Sequence, residues 1–239
     1  MEGAPGFRPL YRQVYDYLVK QISEGAWKAG ESLPSEQALA AELGVSQGTV
    51  RKALDVMAVE KLIERRQGKG TYVAEHTQER ALFRFFRLAR PEGERVAPEC
   101  GAEEVKRRPA NEQEVAKLGL PRDADIVQIT RTRLIDGAPA VFETIIVPEL
   151  VFPDIEKYAP LPNALYSLYQ TVYGVNIVQT VEELRADLTR KEDAKRLQLP
   201  LGAPILHIDR VAIALDGEKV EWRVSRCNTA NLVYAVTIR

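Results

Sequence analysis

The chain is poor in cysteine and histidine. Only Cys100, Cys227, His76 and His207 occur in 239 residues. The cysteines lie far apart without CxxC spacing, and four such scattered residues make no zinc constellation. No metal and no cofactor is therefore expected, and both thiols should be reduced. The N-terminus lacks a hydrophobic signal core, and no run approaches the roughly 20 apolar residues of a membrane span. A soluble, cytoplasmic protein with no membrane partner is the expectation. Charge of one sign is also missing, since 33 Lys and Arg against 34 Asp and Glu leave a formal net charge of −1. Any nucleic-acid binding must then rest on a local basic field, a few phosphate contacts and dimerisation. Low-complexity tracts and internal repeats are not evident, and the length suits two modest domains.

The stretch from Leu33 to Val73 carries the most information. Ser35 is placed to cap a helix, with Pro34 blocking extension upstream. Leu39 and Leu43 face a core one turn apart, and Gly44 ends the helix. Ser46 is placed to accept from the backbone N–H of Thr49 and so to cap a second helix. There Val50, Ala53, Leu54 and Met57 recur at helical spacing. Gln47, Gly48, Thr49, Arg51 and Lys52 stay at the exposed start, where a recognition helix presents residues to bases and phosphates in a major groove. Residues 62–66 alternate like a strand, Gln67-Gly68-Lys69-Gly70 turns, and Thr71-Tyr72-Val73 returns. Arg66 and Lys69 at this tip suit a minor groove or a phosphate rail. Upstream, Tyr11, Val14, Tyr15, Leu18 and Ile22 form the inward stripe of a first helix closed by Gly25. A helix-turn-helix pattern or a basic hairpin alone is a weak signal; their occurrence in this order and at this spacing is specific. The candidate DNA contacts are Ser35, Glu36, Gln37, Ser46, Gln47, Gly48, Thr49, Arg51, Lys52, Arg66, Gln67, Gly68, Lys69 and Gly70.

The pattern changes over 76–98, a polar, turn-rich linker around Phe83, Phe85 and Phe86, which could help to close a pocket in the next domain. The division is 8–75, linker 76–98, and 99–239. The last part alternates strands and short helices. Strands are expected over 102–108, 126–135, 141–147, 179–188, 205–215, 218–227 and 233–238, with helices over 111–118, 164–173 and 191–197. Hairpins outnumber crossovers, so the fold class is α+β with a mainly antiparallel sheet. Arg131 and Arg133 share a strand face with Val127 and Ile129, and Glu143 shares one with Val141, Ile145 and Val147. Charges in such company need partners or a cavity. A strict two-residue turn at Asp136-Gly137 would set Arg131 opposite Phe142, whereas a three-residue loop with a glycine bulge would set it opposite Glu143. The second register is expected, because it pairs the charges. Glu221, Arg223, Ser225 and Cys227 share one face of a later strand. Val220, Trp222 and Val224 share the other, expected to be the core side. Tyr166, Ser167 and Tyr169 bring hydroxyls to a helix start that favours an anion. These groups suggest a small-molecule site with an anionic recognition element; the plain alternative is a solvated sheet face with ordinary salt bridges.

The N-terminal third resembles the GntR family of bacterial transcription regulators. The resemblance is carried by Pro9-Leu10-Tyr11, Gly25-Ala26-Trp27, Gly30, Leu33-Pro34-Ser35-Glu36, Leu39-Ala40, Leu43-Gly44-Val45-Ser46, Thr49-Val50-Arg51-Lys52-Ala53-Leu54 and Gly68-Lys69-Gly70-Thr71. Family members often carry Arg where Gln47 stands, and Gln favours adenine where Arg favours guanine. The second part resembles the UTRA effector-binding domain of the HutC subfamily, with a chorismate-lyase-like fold. Arg131-Thr132-Arg133, Gly137, Pro139, Glu143, Ser167-Leu168-Tyr169, Tyr173-Gly174, Pro204-Ile205-Leu206 and Val220-Glu221 carry it. The resemblance implies effector-binding roles for Arg131, Arg133, Glu143, Ser167 and Glu221. Near the end the chain departs, with Cys227-Asn228-Thr229-Ala230-Asn231 where many members have Tyr followed by Arg-Gly-Asp.

The expectation is a winged helix-turn-helix joined to a UTRA-like effector-binding and dimerisation domain: a repressor that binds an inverted-repeat DNA operator as a homodimer. A small anionic effector, an organic acid or a sugar phosphate, would release or re-set it. The candidate effector contacts are Arg131, Arg133, Glu143, Tyr166, Ser167, Tyr169, Glu221, Arg223, Ser225 and Cys227. No nucleophile–base pair is evident, so no catalytic residue is assigned. A chorismate-lyase-like enzyme and a constitutive DNA binder with an inert pocket are the rivals.

Overall fold

The computed structural model describes residues 8–75 and 85–237. Phe83 and the stretch 76–84 of the expected linker lie outside them. The first unit is three helices and a hairpin. Helix α1 (Leu10–Ser23) buries Val14, Leu18 and Ile22. Helix α2 (Glu36–Leu43) starts where Ser35 Oγ accepts from Ala38 N at 3.1 Å and stops at Gly44, whose φ of +65° is a left-handed turn. Helix α3 (Gln47–Val59) starts where Ser46 Oγ accepts from Thr49 N at 3.1 Å, the bond the spacing implies. Val50, Ala53, Leu54 and Met57 are fully buried against Leu18 and Leu39. Strands β1 (Ile63–Arg66) and β2 (Gly70–Val73) pair antiparallel, Arg66 opposite Gly70. Leu33 N donates to Thr71 O at 2.8 Å, so the segment before α2 borders the hairpin as well.

The second unit is built on one six-stranded sheet. In chain order it has β3 (Leu88–Ala89), β4 (Glu99–Pro109), α4 (Glu112–Leu118), β5 (Asp125–Ile135), β6 (Ala138–Pro148), a 3-10 turn (Ile155–Tyr158) and α5 (Leu165–Tyr173). Then follow β7 (Ile177–Leu188), α6 (Lys191–Leu197), β8 (Pro204–Ala214), β9 (Lys219–Cys227) and β10 (Val233–Tyr234). The sheet order is β4-β5-β6-β9-β8-β7, and every pairing in it is antiparallel. Asn111 caps α4 through a reciprocal pair of bonds with Glu114, as its sequence suggests. Both hairpins, β5–β6 and β8–β9, form where expected and meet along β6 and β9.

Three expectations are corrected. Arg131 does face Glu143, but the turn is the two-residue kind, with Asp136 at φ +52° and Gly137 at +76°. The extra residue is Ala140, absorbed in β6 between the pairs Leu134–Pro139 and Arg133–Val141. The final strand is not 233–238: only Val233–Tyr234 pairs, and with β3, apart from the main sheet; Ile238 lies outside the described residues. The Trp222 and Val224 face of β9 is not the main core, although Val220, the extra residue at a bulge in β9, does join it. The largest cluster lies on the Arg131–Glu143 face, where α5 packs on Val127, Ile129, Ile145 and Val147. Trp222 belongs to a smaller cluster with Leu118, Ile126 and Ile146 on the opposite face. With both faces covered, alternation separates two sets of residues without saying which layer is thicker.

Candidate functional site

The exposed start of α3 and the β1–β2 tip form one basic surface. Gln47, Gly48, Arg51 and Lys52 are exposed, as are Arg65, Arg66, Gln67, Gly68, Lys69 and Gly70; Thr49 is half-buried. Ser35, Gln37 and Ser46 are exposed too, but the two serine hydroxyls are committed to their helix caps. Glu36 is not a free DNA contact. Its carboxylate takes Arg51 Nη2 at 2.8 Å and Arg65 Nη2 at 3.3 Å, and Arg65 also reaches Asp55 at 2.8 Å. It thus ties the start of α2 to α3 and to the hairpin, and holds the Arg51 guanidinium above its ordinary pKa through that hydrogen bond. Lys52 sits 4.3 Å from the Tyr11 ring centre, and Arg66 lies 4.2 Å from that of Tyr72. The start of α3 and the hairpin therefore expose cations and hydrogen-bonding groups together, which is what a groove reader needs.

The second site is a cavity of about 580 Å³, mouth included, between the sheet and the start of α5. Arg131, Arg133 and Arg223 project into it from β5 and β9 around Glu143 of β6. Arg131 Nε donates to Glu143 Oε2 at 2.8 Å, Arg133 Nη1 lies 3.7 Å from the same oxygen, and Arg223 Nη1 lies 3.5 Å from Oε1. Burial alone would push the Glu143 carboxyl up, but the guanidiniums of Arg131, Arg223 and Arg133 overcome it and hold it well below the carboxylate range. Arg133 is the guanidinium left short of partners. Its Nη2 donates to Asn163 Oδ1, while its buried Nε has no hydrogen-bond acceptor. Burial, and then the Arg131 charge against the pull of Glu143, lowers its pKa to about 10. A buried donor without an acceptor is costly, and it belongs to a side chain that lines the cavity.

Of the expected effector contacts, Arg131, Arg133, Glu143, Tyr166, Arg223, Ser225 and Cys227 line the cavity. Glu221 stands one layer behind. It is fully buried, accepts from Tyr166 Oη at 2.9 Å and Tyr169 Oη at 2.8 Å, and takes Arg223 Nε and Nη2 at 3.0 and 2.8 Å. Neither Tyr169 nor Glu221 lines the cavity, and Glu221 holds Tyr166 and Arg223, which do. Burial and then the Glu221 charge push both phenols above their usual pKa, so Tyr166 and Tyr169 stay protonated donors. Ser167 does not line the cavity; on α5 it points about 100° away from Tyr166. Burial likewise pushes the Cys227 thiol up, so it is a neutral apolar wall.

Sequence reasoning missed Arg210 of β8, Asn163 before α5, and Tyr234 of β10. Arg210 donates to Glu182 and to Phe85 O, and Tyr234 Oη donates to the same Glu182. The alternation that singled out Arg131 marks Arg210 equally, among Ile208, Ala212 and Ala214. Asn163 and Tyr234 carry no such mark. Phe85 and Phe86, from the middle of the expected linker, do line the cavity. No group of three metal-ligating side chains occurs among the described residues, and no helix there is long and apolar enough to cross a membrane.

The winged-helix residues 10–73 match the model of the bacterial regulatory proteins of the gntR family, and residues 94–231, more than half of the chain, match the UTRA domain. The chain belongs to the UTRA-containing GntR family. Full-length relatives agree with this. The Escherichia coli K12 mannosyl-D-glycerate transport/metabolism system repressor MngR is 29% identical over 94% of this chain and 93% of its own. The Bacillus subtilis repressor NagR is 28% identical over 89% and 88%. Among solved structures, the ligand-binding domain of a putative GntR-family regulator from Bordetella bronchiseptica superposes with a TM-score of 0.59 at 26% identity, covering 65% of this chain and 98% of that one. PhnF from Mycobacterium smegmatis shares the fold of both halves, at TM-score 0.56 and 22% identity over 95% and 99%. This GntR protein is thus a DNA-binding transcription regulator and not an enzyme; the chorismate-lyase-like alternative is set aside by its relatives and fold neighbours.

Proposed function

We propose that this GntR regulator is a repressor that binds an inverted-repeat operator as a homodimer and is released when a small anionic metabolite enters the cavity. The observation that carries the anion is Arg133. Its guanidinium is fully buried, its Nε has no acceptor, and it borders the cavity. An incoming carboxylate or phosphate would supply both the missing acceptor and counter-charge. Gln47, Thr49, Arg51, Lys52 and the Lys69 tip would meet the operator, with Gln47 favouring adenine. Two relatives bear names attached to sugar-derived compounds, mannosyl-D-glycerate and fructoselysine. An anionic sugar derivative or sugar acid is therefore the first class to try.

The test screens organic acids and sugar phosphates by thermal shift, then measures operator affinity with and without each hit. A true effector raises Tm, since a ligand at about 100 times its Kd adds roughly 2.7 kcal/mol to stability. It also weakens operator binding, and Arg133→Gln loses both responses. A hit that stabilises the protein yet leaves operator affinity unchanged would mark a constitutive binder with an inert pocket.

A further inference from the structure

Strand β7 is one of the two edges of the main sheet, and among the described residues no strand pairs with its outer side. It is 12 residues long. Such an edge offers a row of backbone donors and acceptors, and natural proteins shorten it, charge it or cover it. The opposite edge, β4, is charged along its length, with Glu103, Glu104, Lys106, Arg107 and Arg108. β7 also carries charge, at Glu182, Glu183, Arg185 and Asp187, but it exposes large apolar side chains beside it. Val181 is 49% exposed, Leu184 43% and Leu188 56%. Alternation sets Leu184, Ala186 and Leu188 on one face and Glu183 and Arg185 on the other. Neither Glu183 nor Arg185 has an ion-pair partner among the described residues.

We propose that the outer edge of β7 pairs antiparallel with β7 of a second copy of this chain, about a twofold axis at Leu184. In that register Leu184 meets its own symmetry mate. On the opposite face Glu183 of each copy meets Arg185 of the other, so the salt bridge forms twice. The neighbouring registers do not work. Centring on Glu183 sets that carboxylate against itself, and centring on Arg185 sets two guanidiniums together and Glu183 against Asp187. Like charges directly opposite are destabilising and opposite charges stabilising, so charge selects one register out of three. A self-complementary patch is also what a twofold interface requires. The pairing joins the two sheets edge to edge and removes the exposed edge from both.

This inference rests on the homodimer reading and locates its interface. The test measures the full chain by sedimentation velocity in the low micromolar range, with circular dichroism melts as a check of folding. The wild type sediments as a dimer. Glu183→Arg and Arg185→Glu each raise the dimer dissociation constant by about tenfold or more, because either change creates two like-charge pairs. The double variant E183R/R185E restores the wild-type constant, and Leu184→Lys, which puts two ammonium groups on the axis, gives monomer. A wild-type dimer unmoved by all four variants overturns this interface and leaves the homodimer reading standing, as does a double variant that fails to recover. A wild-type monomer overturns both.

Discussion

At the scale of single residues the cavity is a problem in charge balance. Glu143 is shared by three guanidiniums, and Arg133 receives the weakest share. A carboxyl held down in the folded protein contributes stability that is complete above its unfolded pKa, about 4.3, and that fades as the pH falls toward the folded value. Glu143→Gln therefore lowers stability at pH 7 by about 3–5 kcal/mol, the usual cost of removing one partner from a buried charge cluster. The gap to wild type narrows as the pH drops below about 4.3. Urea unfolding of both proteins at neutral and acidic pH checks this; an equal gap at the two pH values would show that the carboxyl is not held down. Glu221 differs in kind. With two phenols and a bidentate guanidinium around it, it is fully satisfied and has no spare valence for a ligand.

At the scale of elements, α3 and the hairpin act as one reading surface because Glu36 ties them together. Arg51→Ala removes one cation from that surface while leaving the helix cap at Ser46 intact. Operator affinity should fall, and the slope of log affinity against log salt should become shallower by about one, the signature of a lost phosphate contact. Ligand binding in the cavity should not change. Anisotropy titrations at several salt concentrations read the first effect and thermal shift the second. A lost affinity with an unchanged slope would mean that Arg51 supports the fold of the surface through Glu36 and touches no phosphate.

At the scale of the whole molecule, one short helix connects the two sites. Tyr166 at the start of α5 lines the cavity, and Gln170, one turn later, donates through Nε2 to Ala74 O at 3.0 Å, just past β2. Val178 and Leu215 of the second unit pack against the winged-helix core beside it. If a ligand shifts Tyr166, the Gln170 contact would carry the shift to the base of the β1–β2 hairpin. Gln170→Ala should keep ligand affinity within about twofold yet shrink the ligand-induced loss of operator affinity, because coupling between two sites needs a shared element that both of them bias. Operator titrations with and without ligand decide it: if the full ligand effect persists in the variant, coupling runs by another route, such as the Phe85 segment held by Arg210.

What the sequence determined by itself is local. The Ser35 and Ser46 caps, the Gly44 turn, the basic tip and both β hairpins follow from neighbours within a few residues of one another, where propensity and hydrogen-bond spacing act directly. The Arg131–Glu143 register was legible for a similar reason, since a buried charge demands its partner, although the bulge that achieves it moved to Ala140. What only the tertiary structure decided is non-local. Alternation assigns a residue to a face of the sheet but not to a depth, so it placed Glu221 at the ligand when packing sets it behind Tyr166. Helix position and the family resemblance drew Ser167 toward the cavity, yet its neighbour Tyr166 takes that direction. Arg210, Asn163 and Tyr234 join the site from three separate parts of the chain, and β10 finds β3 rather than the main sheet. Contacts between segments so far apart depend on loop closures and layer packing that no short window of sequence encodes.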